Sequence, residues 1–276
     1  MDEFNELRGQ YRVLKDEVDS LQISMMKAST PWYKNLSMII SVVALLFSFG
    51  TTYVSHKRIE SQDIQSLRAE LRGMLQQLAM LPSKNFELAK QYSDDPDAIA
   101  FMGGQLNQEN ALLAFQAAEL IQKLPEEQVT AIEVYGVAIA LQYSYEIQKA
   151  NELYNLSYRI AKDFNTAISA KRGIANSLFQ LGQPEAGRVE FQDALNIFSK
   201  FQNSNDFIQK TTHIATLLNW MGAEASVGNY NIAKTKVEQA ESMVRSLPPG
   251  PFTDQLKGQV SNAQLKLGIT SKVSGR

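Results

Sequence analysis

Hydrophobic positions recur along this chain with three different rhythms. In residues 1–30, Phe4, Leu7, Tyr11, Leu14, Val18, Leu21 and Met25 follow one another at alternating steps of three and four. A stripe this narrow is a coiled-coil seam rather than the broad apolar face of a globular helix. In residues 31–56 the rhythm disappears into a run, LSMIISVVALLFSFGTTYV from Leu36 to Val54, that carries no charge. Nineteen helical residues reach roughly 28 Å, close to the hydrocarbon thickness of a bilayer. Trp32, Tyr33 and Lys34 flank the run on one side and Tyr53, His56, Lys57 and Arg58 on the other, as aromatic rings and snorkelling cations do at membrane interfaces. The 35 residues before it carry charges of both signs, unlike the leading region of a signal peptide. The expectation is an uncleaved transmembrane anchor over 31–56 and a single-pass membrane protein.

The three-four rhythm returns over 57–84 as Ile64, Leu67, Leu71, Met74, Leu78 and Leu81, with Asp63 and Arg68 at positions where opposite charges pair between coiled chains. Pro82 is expected to end this helix. Two seams of one period predict self-association into a homo-oligomer, with dimer and trimer both open. Cations near the run nearly balance, Lys27 and Lys34 before it against Lys57, Arg58 and Arg68 after it. The highly charged N-terminal tail is harder to translocate, which favours an N-terminus in the cytoplasm and a C-terminal domain outside.

From residue 85 to 276 apolar residues recur at the helical period, strand-like alternation is absent, and Gly, Pro, Asn and Asp fall at intervals that suit helix ends. The pattern predicts helices near 86–103, 107–124, 126–143, 146–163, 166–181, 184–202, 207–227, 230–246 and 252–267, joined by short turns into hairpins. Gly103 and Gly104 read as a turn. The fold class expected is therefore all-α. The last helix gathers Phe252, Leu256, Val260, Ala263 and Leu267 on one stripe, with Lys257, Gln259, Gln264 and Lys266 elsewhere, the pattern of a solvating cap.

Residues 178–195 and 223–240 resemble each other: Gly182 matches Gly228, Gly187 matches Ala233, Phe191 matches Val237, and Ala194 matches Ala240. A fainter unit places Tyr145, Ala150, Tyr154 and Ser157 at the same spacings. A turn glycine, a small residue five later, an aromatic or large apolar residue four after that and Ala three further on resemble the tetratricopeptide repeat. Tyr230, Leu217 and Trp220 also fall on its large apolar or aromatic positions. The resemblance implies a helical-hairpin solenoid in which small residues let paired helices approach closely, and whose concave surface takes a protein or peptide partner. Unit spacings of 37 and then 46 residues, counted from Ala150 through Gly187 to Ala233, depart from a regular repeat.

Composition narrows the chemistry. The 276 residues include no Cys and two His, so thiolate catalysis, Cys-ligated zinc and multi-His metal sites are excluded. With 27 Lys and Arg against 29 Asp and Glu, the charge excess that phosphate neutralisation requires is missing, and no nucleic-acid partner is expected. His213, at the start of an apolar helix, and His56, beside Lys57 and Arg58, sit in no nucleophile or metal spacing. Asp94, Asp95 and Asp97 around Pro96, with Ser93 before them, read as a helix start, as do Glu126 and Glu127 after Pro125. The sequons at Asn35 and Asn155 are assigned no glycan. Tyr135, Tyr143, Tyr145, Tyr154 and Tyr158 are of a type common both in solenoid packing and in peptide contact, and packing is the expected role at any single one. No catalytic, metal or cofactor-binding residue is expected. The function expected is a membrane-anchored, self-associating scaffold or adaptor that binds a protein or peptide in a membrane-associated complex. A transmembrane signal transducer, coupling solenoid ligand binding to the N-terminal coil, is the alternative.

Overall fold

The computed structural model describes the backbone of residues 2–27, 36–201 and 205–269, with side-chain surroundings over 11–23, 62–201 and 205–269. Among the described residues the chain is all-α, without strands. Its helices are α1 (Asp2–Lys27), α2 (Leu36–Gln91), α3 (Pro96–Lys123), α4 (Ala131–Tyr143), α5 (Ile147–Ile160), α6 (Phe164–Gln180), α7 (Pro184–Leu195), α8 (Asp206–Ser226), α9 (Tyr230–Arg245) and α10 (Pro251–Lys266). The chain divides into two compact units, 1–65 and 66–276.

The expectation of a membrane span is corrected. Among the described residues no helix is long and apolar enough to cross a membrane, so neither the transmembrane anchor nor the single-pass localisation stands. The apolar run 36–54 is not a helix of its own but the beginning of the 56-residue α2, which passes without a break into turns bearing Lys57, Arg58, Glu60, Asp63, Arg68 and Glu70. The side chains of that run, and of Phe4, Leu7, Met25 and His56, lie outside the described residues, as does Asn35.

In the second unit, helix ends follow local chemistry. Asp95, rather than Ser93, caps α3, its carboxylate accepting from Ala98 N at 3.0 Å. Thr130 and Glu133 form a reciprocal capping box on α4, so α4 begins beyond the short 3-10 turn at Glu126–Gln128. Two breakers fail to break. Pro82 lies inside α2, and Gly103 with Gly104 lies inside α3, although each glycine costs about 1 kcal/mol against alanine there. Packing holds both helices. Leu71 and Leu81 of the second seam are buried within the single chain, Arg68 pairs bidentately with Glu133 of α4, and Leu113, Ala114, Ala117 and Ile121 bury one side of α3.

From α4 onward each helix packs on the next, and α4 also touches α6, as α6 touches α8. The chain reverses after α4, α6 and α8 through one recurring turn. Glu146 N donates to Leu141 O at 3.0 Å, Gln183 N to Leu178 O at 2.9 Å, and Asn229 N to Glu224 O at 2.9 Å. Each of these six-residue closures places a left-handed residue in the turn: Tyr145 (φ 62), Gly182 (φ 74) and Gly228 (φ 79). The turn positions aligned by sequence are therefore structurally equivalent. The wider spacing of the later unit is taken up after α7, where a 3-10 turn, Ile197–Lys200, inserts Ile197 and Phe198 into a cluster with Ala167, Ile168 and Ala194.

Close approach inside the hairpins rests on small residues. Ala150, Ala233, Ala194 and Ala240 are fully buried, and Ser157, which stands where the other units have Ala, is satisfied by donating to Ala131 O at 2.8 Å. Phe191 stacks on Trp220 with centroids 5.5 Å apart, joining α7 to α8. α10 closes the array by burying Leu256, Val260 and Ala263 against α8 and α9. A Cβ added at Gly187 would lie 2.5 Å from Phe179 Cδ2 and 2.9 Å from the Ala175 carbonyl. Gly187→Ala is accordingly expected to lower stability by about 1–3 kcal/mol through overpacking. Gly136→Ala, which meets only Leu75 Cδ2 at 3.9 Å, should be neutral or stabilising. Urea midpoints of the two variants check the contrast.

Candidate functional site

A groove of about 520 Å³ opens along the neighbouring helices α4, α6 and α8. Tyr135, Ile139 and Gln142 line it from α4, spaced so that one helical face looks into it. From α6 come Ser169, Arg172, Gly173, Asn176 and Gln180, and from α8 comes Asn219. Tyr154 of α5 reaches in beneath the wall. It can do so because Gly173 leaves room: a Cβ there would come within 2.6 Å of the Tyr154 ring. The Tyr154 phenol donates to Gln142 Oε1 at 2.7 Å, and its ring lies 5.6 Å from that of Tyr135. Burial raises the pKa of both phenols, so both remain protonated hydrogen-bonding groups at neutral pH.

The tyrosines singled out by sequence separate into two roles. Tyr135, Tyr143, Tyr145 and Tyr154 come together around this groove. Tyr158 does not; it accepts from Lys200 Nζ at 2.9 Å and lies under Lys171 Nζ, 4.6 Å from the ring centroid. At the mouth, Tyr143 is 77% exposed and Tyr145 89% exposed. Tyr145 holds the left-handed backbone that the two equivalent turns give to glycine, a conformation that costs a non-glycine residue about 1–2 kcal/mol.

Sequence reasoning did not pick out Arg172. Its Nε donates to Thr216 Oγ1 at 2.9 Å and its Nη2 to the Thr212 carbonyl at 2.7 Å. Those partners lie some forty residues away on α8, beyond the reach of any local motif. Burial brings the guanidinium down to about 10, which leaves it cationic at neutral pH. Three other cations that bridge helices have carboxylates. Arg68 has Glu133, Lys171 has Glu190 and Asp193, and Arg188 has Glu224. Among the described residues no carboxylate pairs with Arg172.

The remaining candidates have structural duties. His213 Nε2 lies 2.7 Å from the Leu195 carbonyl and its ring meets Phe198 edge-on. Burial, opposed by that hydrogen bond, lowers its pKa, so the neutral ring ties α8 to the end of α7. Asn155 bonds back to Asn151 on α5. Glu126 pairs with Arg159. Among the described residues no group of three or more His, Asp or Glu is placed to hold a metal ion.

Glu224, fully buried on α8, is the centre of a polar cluster. Arg188 Nε and Nη2 reach its two carboxylate oxygens at 2.7 and 2.8 Å, Trp220 Nε1 donates at 2.9 Å and Asn229 Nδ2 at 3.0 Å. Lys236 Nζ lies over the Trp220 ring, 3.5 Å from the centroid.

No protein-family profile matches the chain, and no curated protein matches it. Among solved structures it is similar to BtubC (BKLC) from P. vanneervenii, at 16% identity over 71% of this chain and 85% of that one, with a TM-score of 0.41. That likeness is too loose to bear on family or function. The class defined by the fold is an all-helical protein.

Burial pushes the Glu224 carboxyl upward, but the hydrogen bonds from Arg188, Trp220 and Asn229 outweigh it and hold its pKa below the ordinary glutamate value. A folded-state value depressed in this way stabilises the fold above the unfolded pKa, and the benefit is lost as pH falls through the folded one. Glu224→Gln is expected to cost about 1.5–3 kcal/mol at neutral pH, the loss of charge-assisted hydrogen bonds. It should also flatten the fall of melting temperature on acidification, measured by circular dichroism from neutral pH into the acid range below the ordinary glutamate pKa.

Proposed function

We propose that this chain is a non-enzymatic scaffold or adaptor, a tetratricopeptide-like solenoid that receives an extended segment of a protein partner in the groove of α4, α6 and α8. Three features support the reading. The groove is open and mixed in character, with aromatic rings at its mouth and amide side chains along its walls, as peptide contact requires. Its walls belong to alternate helices of stacked hairpins, a rigid platform. Its polar groups form no arrangement of nucleophile, base and orienting partner.

The observation that carries the proposal is Tyr145. A large aromatic side chain is held in a strained, left-handed turn and displayed almost fully to solvent at the groove mouth. Strain that a glycine would relieve, retained where a binding surface lies, marks a residue kept for contact rather than for folding. Tyr145→Gly is expected to raise the folding free energy by about 1 kcal/mol, from relief of the left-handed strain. The same change should reduce recovery of partner proteins by the full-length bait. Unchanged recovery together with raised stability would overturn the reading.

Self-association completes the proposal. On α1, Tyr11 and Val18 of the three-four stripe are solvent-exposed, and a second copy of the same helix is the partner that a heptad seam fits. Sedimentation equilibrium is expected to give a multiple of the chain mass, and Val18→Asp to return it to the single-chain value.

A further inference from the structure

The charge arrangement in the groove indicates what kind of segment it takes, an inference that rests on the groove being a peptide site. Two hydrogen bonds to α8 occupy the Nε–Nη2 edge of the Arg172 guanidinium. Its outer Nη1–Nη2 edge has no partner among the described residues. Both of these acceptors are neutral oxygens, so the bridge to α8 supplies no counter-charge to the guanidinium. Desolvating a cation without a counter-charge is unfavourable, and Arg68, Lys171 and Arg188, which also bridge helices, each have a carboxylate. The missing partner fits a ligand.

The geometry points to an internal Asp or Glu side chain of an extended protein segment as the group that pairs with Arg172. One free guanidinium edge offers two parallel N–H donors, which match the two oxygens of one carboxylate. A phosphate dianion would call for further cations, and Arg172 is the one cationic residue in the groove lining. Lining groups continue on both sides of Arg172 along α6, Ser169 with Tyr135 in one direction and Asn176 with Gln180 in the other, so the bound chain passes the anchor rather than ending at it.

The spacing of the wall also fits an extended chain. Arg172, Asn176 and Gln180 stand at successive steps of four residues, about 6 Å apart along a helix. An extended segment presents the same face every second residue, about 6.6–6.8 Å. The Asn176 amide has no hydrogen-bond partner among the described residues. Asn219 donates its Nδ2 to Ala215 O at 2.8 Å, which keeps its Oδ1 turned over to an acceptor role for a peptide N–H.

The test uses the full chain and fluorescent, end-blocked peptide pools of randomised sequence with a fixed central Glu, Gln or Lys, read by anisotropy. The Glu pool is expected to bind about tenfold more tightly than the Gln pool, the equivalent of one charge-assisted pair, with the Lys pool weakest. Arg172→Gln should bring the Glu-to-Gln ratio close to unity. Because Arg172 also ties α6 to α8, Asn176→Glu serves as the second variant. It leaves the guanidinium bonds intact and places a competing carboxylate one turn away, and it should erase the ratio with an unchanged melting temperature. Equal binding of the Glu and Gln pools, or a ratio that survives both variants, overturns the acidic anchor while leaving the groove as a peptide site. A Gln pool with a free C-terminus that binds like the end-blocked Glu pool overturns the internal side chain in favour of a chain terminus. Failure of the folded protein to bind any pool overturns the peptide-groove reading itself, and the acidic anchor with it.

Discussion

The second unit depends on one conformational constraint: the chain must turn back after α4, α6 and α8 through a residue with positive φ. A helix whose last carbonyls are not satisfied by such a closure would fray or continue into solvent. With the closure in place, the following helix returns along its predecessor, and the next helix lands beside the one before last. None of these hairpins could bury its apolar residues alone. The shared clusters of α6, α7 and α8, and of α8, α9 and α10, exist because the reversal recurs. The groove is a consequence of the same geometry, since side-by-side packing of alternate helices is what brings Tyr135, Arg172 and Asn219 to one surface.

Small residues and buried charge divide the remaining work. Gly187 and Gly173 are sites of contact, each accommodating an aromatic ring where a methyl would collide. Glu224 and Arg188 join α8 to α7 and are fully reciprocal: both carboxylate oxygens are used, and Trp220 and Asn229 complete the set. Such a network specifies one arrangement of helices, because any shift leaves a buried carboxylate short of donors. Arg172 is treated differently, tied by neutral oxygens alone. The contrast between the two arginines separates a charge that holds the fold from a charge that is held by it.

Much of this was legible in the sequence, and the parts that were not share a cause. The aligned positions Gly182 and Gly228 proved to be left-handed turns, and the substitution of Tyr145 for glycine was visible as a departure from the pattern before its strain was known. Ala150, Ala233 and Ala240 were recognisable as contact points. Local signals misled where tertiary packing decides: α2 runs through Pro82 and α3 through Gly103 and Gly104 because buried leucines and alanines hold them. The apolar run 36–54, taken by itself, reads as self-contained, whereas it forms the first part of the 56-residue α2, and among the described residues no helix is long and apolar enough to cross a membrane. Arg172 was invisible for a different reason. Its environment is built from Thr212 and Thr216, and no spacing rule links residues on helices that meet only after two reversals of the chain.

Tyr145 is where the backbone and the residue type disagree. The turn after α4 performs the same reversal as those after α6 and α8, and glycine would perform it without strain. Folding alone therefore favours glycine at all three. The tyrosine does not repay its backbone cost by packing, since it is almost fully exposed, and the turn's main-chain bonds, Tyr145 N to Gln142 O and Glu146 N to Leu141 O, would form equally well with glycine at 145. What the side chain adds is area and a hydroxyl at the mouth of the groove, next to Tyr143. In an array whose other reversals are made by glycine, the exception falls at a turn that borders the groove, and there the proposed binding role would account for a side chain that folding alone does not favour.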